Sequence, residues 1–513
     1  MLKGYFLPKE LQDSFDTIIR EVSGFEIEYL KLKEGDAEKI SKFLKEERRK
    51  ALSEVGISEK TMRAADKLAE LWSNSNYTKR KIALEVLPEL TGYPSKMIEV
   101  LSFSTLIKVR GNYLKVLKSP SVGKEVFKKF TEILGLNVRI KGYGSFFEKI
   151  KFAKSLSSLP EVELILHICP GNIPGLVESY VMLLSLLLNA AAIIKPPTRQ
   201  PVFAALFAES LSEVDGDLAN LVAVVNWSRG DVIENEFYSH IDVVNVVGGE
   251  EAVRSVKEKV EEFRQKGRDI RGCYHGAKFG IEIVAKEYAL PEVAELVAFD
   301  IIGYEQEMCS SPREVRVEEG GKLSPREFAE KIAEAMNWLS RIFPQSEKYR
   351  AKAKPMILKL IAEGEASDKI EVFVVNKGQG AVAYDEEKVR IFEPIYSYRV
   401  IKVKPVKNIL DVSKIIKPYK EFMQTAGVAV PEARIIELAE ALAQSGIVNI
   451  RVAGSVPMPE PGESWDGKLP GLEFLFDSNI QWVTIASKNL DESIKQNIEF
   501  LAELKKLNFS SSN

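Results

Sequence analysis

Val162-Glu163-Leu164-Ile165-Leu166-His167-Ile168-Cys169-Pro170-Gly171-Asn172-Ile173-Pro174-Gly175 is the stretch on which the fold turns. Its first seven residues have the length and apolar content of a buried strand, and the Pro- and Gly-bearing segment after them stops the run. Next comes 179–194, SYVMLLSLLLNAAAII. It is shorter than a membrane span, carries Asn189 and is bounded by Glu178 and Lys195, so it reads as a buried helix leading into a strand over 191–195. The spacing then predicts a helix over 201–214, strands over 221–225 and 243–247, and a helix over 250–266. Short apolar strands alternating with helices predict an α/β fold, a parallel sheet covered on both faces. Such sheets bind nucleotides at the carboxyl ends of their strands.

A second alternating region runs from 277 to about 455, with strands over 280–284, 315–317, 371–375 and 399–403 and a helix over 325–342. Before the first region, residues 8–115 are charged and helix-rich, with apolar residues at helical spacing over 10–21 and 61–73. After the second, 457–471 is rich in Pro and Gly, followed by a strand-like run over 480–485 and a closing helix over 490–507. At 513 residues the chain predicts two to four domains. The boundaries fall at 1–115, 116–275, 276–456 and 457–513.

A net charge of −3 gives no bulk attraction to nucleic acid or an anionic membrane. The run Lys45-Glu46-Glu47-Arg48-Arg49-Lys50 reads as a solvated helix face. Three cysteines and three histidines without ligand spacing predict neither a disulfide framework nor a metal site. The first residues carry no signal-peptide pattern, so a cytoplasmic protein is expected.

Cys309 carries the chemistry. It lies in Asp300-Ile301-Ile302-Gly303-Tyr304-Glu305-Gln306-Glu307-Met308-Cys309-Ser310-Ser311-Pro312, on a loop that a substrate can approach. With the Asn172 turn it suggests thiolate attack on an acyl group, with an amide donor holding the oxyanion. Cys169 and Cys273 adjoin apolar segments and read as structural.

These separated motifs, in this order, resemble the aldehyde dehydrogenase superfamily, most closely the LuxC-type acyl-CoA reductases of bacterial bioluminescence and their non-luminous relatives. The resemblance covers about 150–480. It implies a Rossmann-like NADP-binding domain over 116–275, an α/β catalytic domain over 276–456 and a C-terminal oligomerisation segment. It makes Cys309 the nucleophile and Asn172 the oxyanion donor. Lys195-Pro196-Pro197-Thr198-Arg199 resembles the Lys-Pro-Ser-Glu segment that binds the adenosine ribose. Thr198 in place of that Glu, with Arg199 adjacent, favours NADPH, since a carboxylate would repel a 2′-phosphate. Gly248-Gly249 looks like the turn beneath the pyrophosphate. Ile391-Phe392-Glu393-Pro394 resembles a nicotinamide-side segment, which places Phe392 at the cofactor, while Arg390 replaces an expected Glu. Tyr274 stands where the family's water-activating Glu is expected, which suits a reductase whose acyl-enzyme waits for hydride. Ser464-Trp465-Asp466-Gly467 resembles a C-terminal signature of the same proteins.

The activity implied is NADPH-dependent reduction of a fatty acyl thioester, supplied as acyl-CoA or by an acyl-protein synthetase partner, in a homo-oligomer. The alternatives are another aldehyde dehydrogenase or acyl-phosphate reductase of the superfamily, and a non-catalytic acyl-binding or scaffold protein, which the replacements at Thr198 and Arg390 keep open.

Overall fold

The computed structural model of the chain describes residues 1–53, 56–118 and 124–510. Five parallel strands form one sheet, in the spatial order Arg271–His275, Val243–Val247, Leu164–Ile168, Ala191–Lys195, Val222–Val224. The first strand in the chain is central, and the order reverses between it and Val243–Val247. That reversal opens a crevice at the carboxyl ends, where 169–175 and Gly248-Gly249 emerge. The long apolar run resolves into a buried helix, Leu176–Leu187, and the strand Ala191–Lys195. Asn189 makes the turn between them in a left-handed conformation (φ 60°). Its side-chain oxygen accepts the Ser58 N–H at 3.2 Å.

The second sheet has ten strands, in the order Ile370–Val375, Gly380–Asp385, Val400–Val406, Pro312–Glu318, Phe279–Val284, Met423–Ala429, Asn449–Val452, Gln481–Ile485, Arg139–Tyr143, Thr131–Glu132. It is parallel from Gly380–Asp385 to Gln481–Ile485 and antiparallel at both edges. Arg139–Tyr143 belongs here, although it falls within 116–275. The C-terminal strand Gln481–Ile485 is inserted between Asn449–Val452 and Arg139–Tyr143. Helix Pro325–Ile342 begins where its sequence dictates: Ser324 and Glu327 form a capping box and Pro325 opens the first turn.

The N-terminal region differs from the expectation at 10–21. Only Lys9–Gln12 is helical, and Thr17–Val22 pairs antiparallel with Phe25–Leu30. The β-branched Thr17, Ile18, Ile19 and Val22 favour a strand, and Ser23 (φ 49°) and Gly24 (φ 82°) supply a two-residue hairpin turn. Helices Asp36–Ser53, Ile57–Ser73 and Thr78–Thr91 then pack on helices of the five-stranded layer. The charged run on the first of these is not uniformly solvated. Arg48 is buried, with Nε on the Asn189 carbonyl at 2.6 Å and Nη2 on Glu161 at 2.7 Å. Helix Glu347–Ala366 was illegible because Pro355 interrupts its pattern.

Candidate active site

Cys309 follows helix Pro291–Ile302 through a turn, Gly303–Gln306, in which Tyr304 (φ 47°), Glu305 (φ 55°) and Gln306 (φ 58°) are all left-handed. Such a conformation costs a non-glycine residue about 1–2 kcal/mol, so its surroundings must impose it. The Tyr304 hydroxyl meets Ser102 Oγ at 2.8 Å. Glu305 is fully buried on the equally buried Arg399, whose Nε donates to Oε2 at 2.9 Å and whose Nη2 donates to Oε1; Gln345 Nε2 adds a bond at 2.8 Å. Gln306 donates to the Pro312 carbonyl at 2.9 Å and accepts the Arg399 N–H at 2.6 Å. The Tyr-Glu-Gln of the motif therefore clamps the backbone that carries Cys309. On the other side of the thiol, Gly280 lets the central strand approach the loop: a Cβ there would lie 2.2 Å from the Ser310 carbonyl oxygen.

Glu307 ties this loop to three other parts of the chain. Its carboxylate accepts from Arg199 Nη1 at 2.8 Å, Lys352 Nζ at 2.9 Å, the Tyr349 hydroxyl at 2.8 Å and the Tyr93 hydroxyl at 2.9 Å. Burial works to raise its pKa, but Arg199 and Lys352 prevail and hold it below the usual carboxylate value. The Glu307 carbonyl accepts the Asn172 side-chain N–H at 2.5 Å. Asn172 and Cys309, 137 residues apart, are thereby brought onto one framework.

The structure also gathers a polar chain that the sequence did not reveal. His275 Nδ1 lies 2.8 Å from Asp466 Oδ2, and Nε2 faces Glu473 Oε2 at 3.3 Å as an ion pair. Burial alone would lower the His275 pKa, yet Glu473 and Asp466 outweigh it and lift it to about 10, so the ring is an imidazolium at neutral pH. Trp465 stacks on it, with centroids 4.3 Å apart. The Ser-Trp-Asp-Gly turn, with Asp466 (φ 48°) and Gly467 (φ 80°) left-handed, presents both residues. Asp466 accepts from Gln424 Nε2 at 2.5 Å, and Gln424 lines the same cavity as Cys309. His275 and Gln424 had no distinguishing local signal, since strand order alone brings them together.

Burial, aided by the Asp466 charge, pushes the Cys309 thiol up to about 11, so it rests protonated. Alkylation by iodoacetamide should therefore accelerate about tenfold per pH unit above neutrality and level off only near pH 11, since the thiolate is the nucleophile. A plateau by pH 8 in a stopped-flow alkylation profile would contradict this. Cys309 opens on a cavity of about 140 Å³ whose walls include Val109, Tyr113, Leu176, Val177, Tyr180 and Trp465. Cys169 and Cys273 are buried away from it.

The expected cofactor residues divide. Lys195, Thr198, Gly248 and Gly249 lie at or just after the carboxyl ends of the two strands that flank Leu164–Ile168. Lys195 Nζ stands 5.3 Å from the centre of the Trp227 ring and makes no ion pair among the described residues, and Thr198 is exposed. Helix Glu250–Gln265 starts at Gly249 without a side-chain cap, and a Cβ at Gly249 would enter open space. Arg199 is turned away: Glu307, the Thr91 carbonyl and Tyr349 take its guanidinium. Phe392 is buried against Phe279 and Tyr419. Tyr274 packs beneath Lys257 of that helix, its hydroxyl folded over Gly272. Among the described residues no group of three or more His, Cys, Asp or Glu could hold a metal.

Solved aldehyde dehydrogenases share this architecture. The salicylaldehyde dehydrogenase from Pseudomonas putida G7, in complex with salicylaldehyde, is 16% identical, with a TM-score of 0.63 over 94% of this chain and 98% of that one. A NAD-dependent benzaldehyde dehydrogenase from Corynebacterium glutamicum is 15% identical, with a TM-score of 0.57 over 94% and 96%. An aldehyde dehydrogenase from Bartonella henselae is 14% identical, with a TM-score of 0.59 over 95% and 100%. At these identities the likeness is one of fold, and the fold is that of the aldehyde dehydrogenases. Curated proteins gave no match. The family model of the LuxC acyl-CoA reductases matches residues 148–476, more than half of the chain. The chain belongs to that family and is an oxidoreductase acting on acyl or aldehyde groups.

Proposed function

We propose that the enzyme reduces an acyl thioester to the aldehyde with NADPH, through an S-acyl intermediate on Cys309. The observation that carries this reading is a thiol facing an apolar cavity, framed with the Asn172 amide, beside a carboxylate that has no free basicity. Asp466 is that carboxylate. Burial acts to raise its pKa, but the His275 imidazolium outweighs this and holds it low.

The Cys309 sulfur attacks the acyl carbon, and its proton passes to the departing thiol. Thioester exchange conserves the bond type, so little free energy is lost. The oxyanion is held by the Asn172 side-chain N–H and the Cys309 backbone N–H. Asp466 is held by His275, Tyr274 faces helix Glu250–Gln265, and the cavity carboxylates Glu460 and Glu463 are paired with Lys108 and Arg451, so general-base help to water at the acyl-cysteine is weak and hydrolysis is slow. Lys195 and the open N-terminus of that helix suit the ribose and pyrophosphate of a dinucleotide. When bound, a reduced nicotinamide supplies the hydride that the acyl carbon takes. Cys309 then departs as the carbonyl re-forms and regains a proton. Thr198, in place of a carboxylate, supports NADPH over NADH, with Lys195 rather than Arg199 as the cation.

The acyl donor is acyl-CoA or an acyl-protein handed over by a synthetase partner. A homo-oligomer and a cytoplasmic location belong to the same proposal. Phe146 and Phe147, both exposed at the start of the helix that follows strand Arg139–Tyr143, support association between copies. No helix of the described residues is long and apolar enough to cross a membrane.

The test is the stoichiometry of turnover. One aldehyde and one free thiol per NADPH oxidised are expected, whereas carboxylic acid as the main product would overturn the reading. Asn172→Ala should lower kcat by about 10²–10³ with little change in KM, and an unchanged kcat in steady-state assays would remove Asn172 from the mechanism.

A further inference from the structure

Glu282 and Asp300 take no part in the chemistry described above, yet both belong to elements that hold the Cys309 loop. We infer that Glu282 keeps its proton in the working enzyme and donates it to Asp300, and that this shared proton positions the Cys309 loop. The pairing does not depend on what Cys309 reacts with, so it stands or falls apart from the acyl-thioester reading.

Glu282 is fully buried in strand Phe279–Val284. In register beside it are Val315 and Gly427, neither of which has a side-chain donor. Gly427 makes the room, since a Cβ there would lie 2.0 Å from Glu282 Oε1. Among the described residues no N–H or O–H donates to either oxygen of the Glu282 carboxyl. The polar group that it meets is the carboxyl of Asp300, itself buried. A carboxylate sealed off in this way is strongly disfavoured, and two carboxylates in one buried site do not both ionise. The backbone identifies the partner that keeps the charge. Asp300 Oδ2 accepts the Gly454 N–H at 2.5 Å and Oδ1 accepts the Val456 N–H at 3.0 Å. Burial pushes both carboxyls up. The two N–H groups and Arg451 oppose this at Asp300, whereas the Asp300 charge adds to it at Glu282. The proton therefore rests on Glu282. Arg451 bears on the pair from strand Asn449–Val452 and is itself bound to Glu463 at 2.8 Å. Lys505, on helix Leu490–Ser510, is occupied by Glu295 at the half-exposed face of the Asp300 helix.

Three connections carry the pairing to Cys309. Asp300 lies on the helix that runs into the left-handed turn before the thiol. The strand of Glu282 brings Gly280 against the Ser310 carbonyl. The loop that Asp300 holds offers its Val456 carbonyl to Ser310 Oγ and to Arg451, which lines the cavity. Losing the Glu282 proton would set two anions against each other and release that loop. Folding raises the Glu282 pKa, so the hold is complete below the usual carboxylate range and is lost as pH rises through the raised value.

The test follows that proton in the intact enzyme. At pH 7 in heavy water, the infrared spectrum of the wild type minus that of Glu282→Gln should show the carbonyl band of one un-ionised carboxylic acid. Glu282→Gln puts an amide N–H where the acid proton lies, so hydrogen exchange over 453–457 and over 303–311 should match the wild type at pH 7. Between pH 7 and pH 10, after correction for intrinsic exchange, the wild type should lose protection in both segments by at least about tenfold, while Glu282→Gln stays within about threefold. A merely structural carboxyl would not make the loss depend on pH and be cured by the amide. The wild type alone, compared at the two pH values in the infrared, should lose the acid band, which keeps the test decisive if the variant does not fold. Absence of the acid band at pH 7, its persistence at pH 10, or an equal loss of protection in wild type and variant overturns the inference.

Discussion

Cys309→Ala is expected to lower acyl-CoA-dependent NADPH oxidation by on the order of 10⁴-fold or more, the range seen when a covalent nucleophile is removed. No neighbour can replace the thiol. Ser310 Oγ donates to the Val456 carbonyl at 3.4 Å, and the cavity carboxylates Glu460 and Glu463 are paired with Lys108 and Arg451. Cys169 and Cys273 are buried outside the cavity. Cys309→Ser should fail almost as completely, because a hydroxyl needs stronger general-base help than a thiol and Asp466 is already committed to His275. The comparison is made by steady-state assay on both variants, with near-ultraviolet circular dichroism confirming native packing. Turnover in Cys309→Ala within tenfold of the wild type would rule out covalent catalysis at this residue.

Arg399→Met is expected to be the most destabilising single change near the site. Arg399 and Glu305 form a fully buried ion pair, and removing one partner leaves an uncompensated charge, at a cost of about 3–5 kcal/mol. The same arginine anchors Gln306 through its backbone N–H, within a segment where Tyr398 and Arg399 are themselves left-handed. Two strained turns are thus locked together, and the loop that carries Cys309 is one of them. Arg399→Met paired with Glu305→Met should recover part of the loss, since no buried charge then remains. Urea denaturation of the three proteins distinguishes the outcomes. A single variant as stable as the wild type would show that the pair does not hold the turn.

The parts of this protein that were legible in the sequence are those set by local pattern. Short apolar runs marked Leu164–Ile168, Ala191–Lys195 and Val243–Val247 as strands, and the helix expected over 325–342 is Pro325–Ile342. Cys309 and Asn172 stood out as candidates because a thiol on a polar loop and an amide in a Pro-Gly turn are unusual in themselves. Contacts that depend on topology were hidden. Arg199 looked like a cofactor residue from its place after a strand, but the partner that claims it, Glu307, lies 108 residues away. Tyr274 and His275 are neighbours on one strand, and alternation sends them to opposite faces, so the motif position fell on Tyr274 while His275 reached the site. Asp466 could be quoted only as part of a turn, because its role follows from the ring that stacks on Trp465.

The central claim is that an acyl group waits on Cys309 until a reduced cofactor arrives. Mixing the enzyme with a fatty acyl-CoA in the absence of NADPH, removing excess reagent and weighing the intact protein tests it directly. One acyl adduct, located on the peptide containing Cys309, stable for many turnover times and released as the aldehyde when NADPH is added, is the expected result. Loss of that adduct as the carboxylic acid before NADPH is supplied would contradict the account.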